Sequence, residues 1–121
     1  MDLKLTNKLA LVSGSTAGIG YAIAAALASE GAHVIGKGRT QASGDGAVSK
    51  MKTATGGTVY GFAGDLGTAA AAEELVRRYP GIEILVNSLG IFEATPFEKI
   101  PDVDWVRFFE VNVLSGVRLA R

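Results

Sequence analysis

The stretch Ser13-Gly14-Ser15-Thr16-Ala17-Gly18-Ile19-Gly20 decides how this chain folds. It follows an apolar run, Leu9-Ala10-Leu11-Val12, and precedes an alanine-rich helical pattern, Tyr21 to Ser29. A strand, a tight glycine turn and a helix in that order make a phosphate-binding corner. Gly14 lets the chain turn sharply out of the strand, where a Cβ would clash. Gly18 lets backbone approach a pyrophosphate closely, and Gly20 lets the helix pack tightly on the sheet. Ser15, Thr16 and Ile19 lie between these glycines and are counted with the same anion site. The first free N–H groups of the helix point at the anion, and the helix dipole adds to the attraction. No carboxylate lies between Thr6 and Ser29 to repel a phosphate. A glycine triplet alone would be an ordinary turn; the flanking strand and helix give it the phosphate-binding reading.

The glycines fall as G-x-x-x-G-x-G, not as the G-x-G-x-x-G of most dinucleotide folds. This pattern resembles the short-chain dehydrogenase/reductase family, whose turn reads T-G-x-x-x-G-I-G. Ser13 stands where that family usually has Thr and keeps the hydroxyl.

Composition bounds the rest. The 121 residues suffice for one domain with a real core. Hydrophobic residues make up 48% and charged ones 20%, an ordinary globular mix. Twelve basic residues balance twelve acidic ones, which argues against a nucleic acid or an anionic membrane recognised by bulk charge. Without cysteine there is no disulfide framework and no thiolate chemistry. One histidine, His33, cannot by itself build a metal site. The N-terminus shows no long apolar stretch, so neither a signal peptide nor a membrane span is expected, and the default location is cytoplasmic.

Along the chain, Lys8–Val12 reads as a first strand whose continuous apolar run suits burial on both faces. Ile19, Ile23, Ala26 and Leu27 recur at helical spacing as the expected buried stripe of the first helix. Glu30-Gly31 ends it. Ala32–Gly36 is a second strand, Thr40–Gly46 a loop rich in Ser, Gly and Asp, and Ala47–Ala54 a short helix broken by Gly56-Gly57. Thr58–Phe62 is a third strand. Asp65-Leu66-Gly67 opens a helix with Ala72, Leu75, Val76 and Tyr79 as its stripe and Pro80-Gly81 as its stop. Ile82–Val86 is the fourth and most apolar strand. Leu89–Pro101 is a long connection, and Asp102 is expected to cap a last helix with Phe109, Val113, Gly116, Val117 and Ala120 on one face. Repeated strand–helix alternation predicts an α/β fold, a Rossmann-like doubly wound parallel sheet in strand order 3-2-1-4 with helices on both faces. Residues 1–121 form a single dinucleotide-binding domain.

Further sites match the family in chain order. The second strand ends Gly36-Lys37-Gly38-Arg39. NAD-preferring dinucleotide folds place an acidic residue here for the ribose 2′-OH. By the family pattern Gly38 occupies that position, with Arg39 beside it, and a guanidinium matches a 2′-phosphate bidentately. NADP(H) is therefore the expected cofactor, with NAD(H) the second choice. The plainer alternative is two solvated basic residues in a surface loop. Asp65-Leu66 matches the family's adenine-contacting acidic position; Asp65 as the N-cap of the next helix is the competing reading, and both can hold. Asn87-Ser88-Leu89-Gly90 stands where the family has N-N-A-G. Asn87 and Gly90 fit, while Ser88 and Leu89 depart, Leu89 being bulkier than Ala beside the expected ribose. Asn112 matches the Asn that interrupts the family's long helix and supports a proton-relay water.

The family's chemistry rests on a Ser and on Y-x-x-x-K, the Tyr handling the proton while the Lys lowers its pKa. No Tyr here has Lys four residues on: Tyr21 meets Ala25, Tyr60 meets Gly64 and Tyr79 meets Glu83. The resemblance covers the whole chain but only the N-terminal half of a family member, so strands five to seven are expected in a longer chain. It implies hydride transfer between nicotinamide and a small-molecule carbonyl or alcohol, a homo-oligomer at full length, and no catalysis by these residues alone. A non-catalytic dinucleotide-binding or interaction module is the alternative.

Overall fold

Two apolar layers sandwich a four-stranded parallel sheet in a computed structural model that describes residues 2–15, 18–38 and 41–121, with backbone alone at 37, 38 and 41–44. The elements run β1 (Leu9–Val12), α1 (Gly18–Ser29), β2 (His33–Gly38), α2 (Gln41–Thr55), β3 (Val59–Ala63), α3 (Ala69–Arg78) and β4 (Ile84–Val86). A 3₁₀ turn (Phe97–Lys99) then leads into α4 (Asp102–Phe109), a π-helical turn (Glu110–Leu114) and α5 (Ser115–Ala120). The strand order is β3-β2-β1-β4, as the alternation of elements requires. The register pairs Leu11 with Ile35 and with Leu85, and Ile35 with Tyr60.

Successive strand residues point to opposite faces, and here both faces are covered. Val12, Val34 and Val59 pack with Ala24 and Ala28 of α1 and Val48 and Met51 of α2. Leu11, Ile35 and Phe62 pack with Leu66 and with Leu75 of α3, joined by Leu119 of α5. This is why β1 reads as an unbroken apolar run rather than an alternating one.

Several expected details are corrected. The buried stripe of α1 is Gly20, Ala24 and Ala28, not Ile19, Ile23, Ala26 and Leu27. Close approach to the sheet selects the smallest side chains, while Ile23 and Leu27 flank the contact half-buried and Ile19 faces solvent. The expected loop 40–46 is helical from Gln41, because packing of Val48 and Met51 on β2 and β3 outweighs the weak propensity of Ser-Gly-Asp-Gly. Val76 is exposed on α3, whose inward residues are Ala72 and Leu75. Strand β4 keeps only Ile84–Val86 of the expected Ile82–Val86. Asp102 is the first residue of α4 and not its cap, a position held by Pro101. The face Phe109, Val113, Val117 is exposed, and Ser115 and Leu119 turn inward instead. A π-helical turn, Glu110–Leu114, falls within this stretch.

Candidate cofactor site

Ligands of open α/β sheets bind outside the carboxyl ends of the strands, where the strand order reverses. In this sheet β1 lies between β2 and β4, so the reversal falls between β1 and β4. The segments leaving these two strands are joined by Ser13. Its buried hydroxyl accepts the N–H groups of Ser88 (3.0 Å) and Leu89 (3.2 Å) and donates to the Val86 carbonyl at 3.4 Å. The chain then turns at Gly14 with φ +68°, and a Cβ there would stand 2.9 Å from the Ser88 carbonyl oxygen. At Gly20 an added Cβ would stand 2.1 Å from the Gly14 carbonyl oxygen, so strand end and helix start touch backbone to backbone. Gly18 differs from both: φ is +64°, yet no described residue lies within 4 Å of its added Cβ. Thus Gly14 and Gly20 face protein, whereas no described residue faces Gly18. Beside it Ile19 is 78% exposed, an unusual placement for a large apolar side chain at the start of a packed helix. The first turn of α1 carries no acidic residue. Ser15 is fully buried. Thr16 lies outside the described residues, as does Arg39.

After β3, Asp65 shapes its own corner by accepting the Gly67 N–H at 2.9 Å. The expected cap of the following helix is instead Thr68, whose side chain accepts the Ala71 N–H at 3.3 Å. The Asp65 N-cap reading is thereby corrected, because the helix begins at Ala69 and Thr68 is the residue preceding it. Asp65 stays exposed, while the Leu66 side chain is wholly inside the core, so Leu66 offers a ligand only its backbone.

The segment after β4 is held from two sides. Ser13 takes the Ser88 and Leu89 amides from one side. From the other, Asn112 accepts the Ile91 N–H at 2.7 Å and donates to the Ile91 carbonyl at 3.2 Å. A Cβ at Gly90 would stand 3.0 Å from Asn112 Oδ1. The π-helical turn that carries Asn112 is what interrupts the helix at this point. Leu89 packs half-buried against the core, which takes up the bulk that distinguishes it from the expected alanine. Asn87 is exposed and lies against α5, where a Cβ at Gly116 would come 3.3 Å from its Nδ2.

Residues 8–121 match the family model described as short chain dehydrogenase. The chain belongs to the short chain dehydrogenase family. Over its whole length it is 52% identical to an uncharacterized oxidoreductase of Bacillus subtilis, YvaG, of which it covers 46%. The solved structure of L-sorbose reductase from Gluconobacter frateurii, complexed with NADPH and L-sorbose, superposes with a TM-score of 0.91 at 34% identity, covering 100% of this chain and 48% of that one. A 7α-hydroxysteroid dehydrogenase complexed with NADH gives 0.83 at 29% identity, covering 98% of this chain and 48% of that one. The chain therefore spans about half the length of the short chain dehydrogenases it matches. Of the residues that shape the site, Ser13 is not a binding candidate on sequence grounds. The hydroxyl kept at the family's Thr position was the signal for Ser13.

Proposed function

We propose that this chain binds a nicotinamide dinucleotide at its glycine corner, prefers NADP(H), and forms the cofactor half of an oxidoreductase acting on a small carbonyl or alcohol. The observation that carries this reading is the contrast among the three glycines. Gly14 and Gly20 are closed in by backbone, whereas no described residue lies within 4 Å of a Cβ added at Gly18. That is the cradle a pyrophosphate would fill, at a helix N-terminus without a competing carboxylate.

Gly14, Ser15, Thr16, Gly18, Ile19 and Gly20 would hold the pyrophosphate end, with Arg39 at the 2′-phosphate and Asp65 and the Leu66 backbone at the adenine. Asn87, Ser88, Leu89 and Gly90 would line the remainder, and Asn112, by gripping Ile91, would keep that segment in place and serve the outer part of a proton relay. The cofactor, when bound, supplies the hydride. A carbonyl oxygen gaining charge in such a transfer needs a positioned donor. These 121 residues contain no Tyr followed four positions on by Lys, so we assign no carbonyl reduction to them alone. We further place the protein in the cytoplasm and as a homo-oligomer, with a small molecule and neither nucleic acid nor membrane as its partner. Among the described residues no helix is long and apolar enough to cross a membrane.

The L-sorbose reductase carries NADPH and the 7α-hydroxysteroid dehydrogenase NADH, so the fold alone does not choose. The choice rests on Arg39. A charge-assisted hydrogen bond is worth roughly 1.5–3 kcal/mol. Titration of NADPH and NADH by nucleotide fluorescence should show tighter NADPH binding. Arg39→Asp should weaken NADPH about tenfold or more and strengthen NADH. Equal affinity for the two cofactors in the unaltered protein would overturn the preference.

A further inference from the structure

Arg118 of α5 connects parts of the site that the strands leave apart. Its side chain is 18% exposed. Nη1 donates to the Gly67 carbonyl at 3.0 Å, and Nη2 donates to Glu110 Oε1, also at 3.0 Å. The two acceptors belong to different pieces of the molecule. Gly67 closes the corner after β3, where its own N–H is held by Asp65. Glu110 opens the π-helical turn, whose Asn112 grips Ile91 after β4. Between them, Val111 lies against Gly67, where an added Cβ would come 3.1 Å from Val111 Cγ2.

The ion pair itself stabilises little, because the Glu110 side chain is 43% exposed and solvent screens it. What the guanidinium provides is geometry. Its planar fork directs two donors at once along fixed lines, which the single point charge of a lysine cannot do. We propose that Arg118 is a positioning residue for the cofactor site, coupling the Asp65–Gly67 corner to the π-helical turn and, through Asn112, to the segment after β4. The functional side of this inference rests on the cofactor reading above, with Asp65 at the adenine end. Arg118 acts through the Gly67 carbonyl and Glu110.

The test uses Arg118→Met, Arg118→Lys and Glu110→Gln with two readouts. The first needs no cofactor: hydrogen exchange at the Gly67 and Ile91 amides. Arg118→Met should speed exchange at both about tenfold, the scale of one lost charge-assisted bond, while core amides such as Leu11 and Ile35 keep their rates. Arg118→Lys should restore part of the protection. Glu110→Gln, which keeps an acceptor, should lose less at the same two amides. The second readout is titration of adenosine 2′,5′-bisphosphate, which carries only the adenine end and should bind about tenfold more weakly to Arg118→Met. Faster exchange at Gly67 with Ile91 unchanged refutes the coupling. So does a uniform loss of protection across the core, which would mark Arg118 as a general stabiliser. An unaltered protein that binds neither the bisphosphate nor NADPH overturns the cofactor reading, and the exchange data still decide the coupling.

Discussion

Replacing Gly20 with alanine adds one methyl group where the structure has no room for it. The new Cβ would stand 2.1 Å from the Gly14 carbonyl oxygen and 2.9 Å from the carbonyl carbon. Both are backbone atoms, so no rotamer change relieves the contact. Ordinary contact begins near 3.4 Å, so strand end and helix start must part by about 1.3 Å. Overpacking of this kind costs typically 1–3 kcal/mol. For 121 residues each kcal/mol lowers Tm by roughly 4 °C. The same displacement opens the corner, and a misplacement of about 1 Å at a site can cost about 10²-fold in activity. Gly18→Ala is the matched control. Its Cβ meets no described residue within 4 Å, and φ +64° adds a strain of about 1–2 kcal/mol. Differential scanning calorimetry and NADPH titration on both variants read the two effects separately. Gly20→Ala should lose both Tm and affinity, with the larger Tm loss of the pair. A Gly20→Ala protein with unaltered Tm and unaltered NADPH affinity would refute the backbone contact between β1 and α1 as the basis of the site.

Other substitutions probe neighbouring parts. Gly18→Val should fold yet lose NADPH binding, since the branched side chain fills the space before the helix; a folded variant that binds normally by titration would move the cofactor elsewhere. Ser13→Ala removes the shared acceptor of the part-buried Ser88 and Leu89 amides, and leaving them unpaired costs at most about 1–3 kcal/mol, to be read as a shift in the chemical denaturation midpoint without change in slope. Asn112→Ala removes both hydrogen bonds to Ile91 and should raise Ile91 amide exchange with little change in Tm; unchanged exchange would show that the loop is held by other means.

The strand order could be read from sequence because β1 and β4 are continuous apolar runs and the helices between the strands force parallel crossovers. The glycine corner was legible for a related reason. Its spacing encodes backbone contacts, and those contacts, Gly14 against Ser88 and Gly20 against Gly14, leave no alternative residue. Helix faces were less legible. Hydrophobicity points to Ile19 as a buried residue of α1, but the fully buried positions are Gly20, Ala24 and Ala28, and Ile19 faces solvent. The start of α2 is helical against its local composition because Met51 and Val48 must reach the sheet. The last helices are the least legible: apolar spacing picks out Phe109, Val113 and Val117, which are exposed, while Leu119 packs on the core, and a π-helical turn has no signature in that spacing. The same turn carries Asn112, which uses its whole amide on Ile91. The π-helical turn is thus what brings an asparagine onto the segment after β4. Arg118, whose bond to Gly67 spans 51 positions in sequence, depends on it too, since its second acceptor, Glu110, opens that turn.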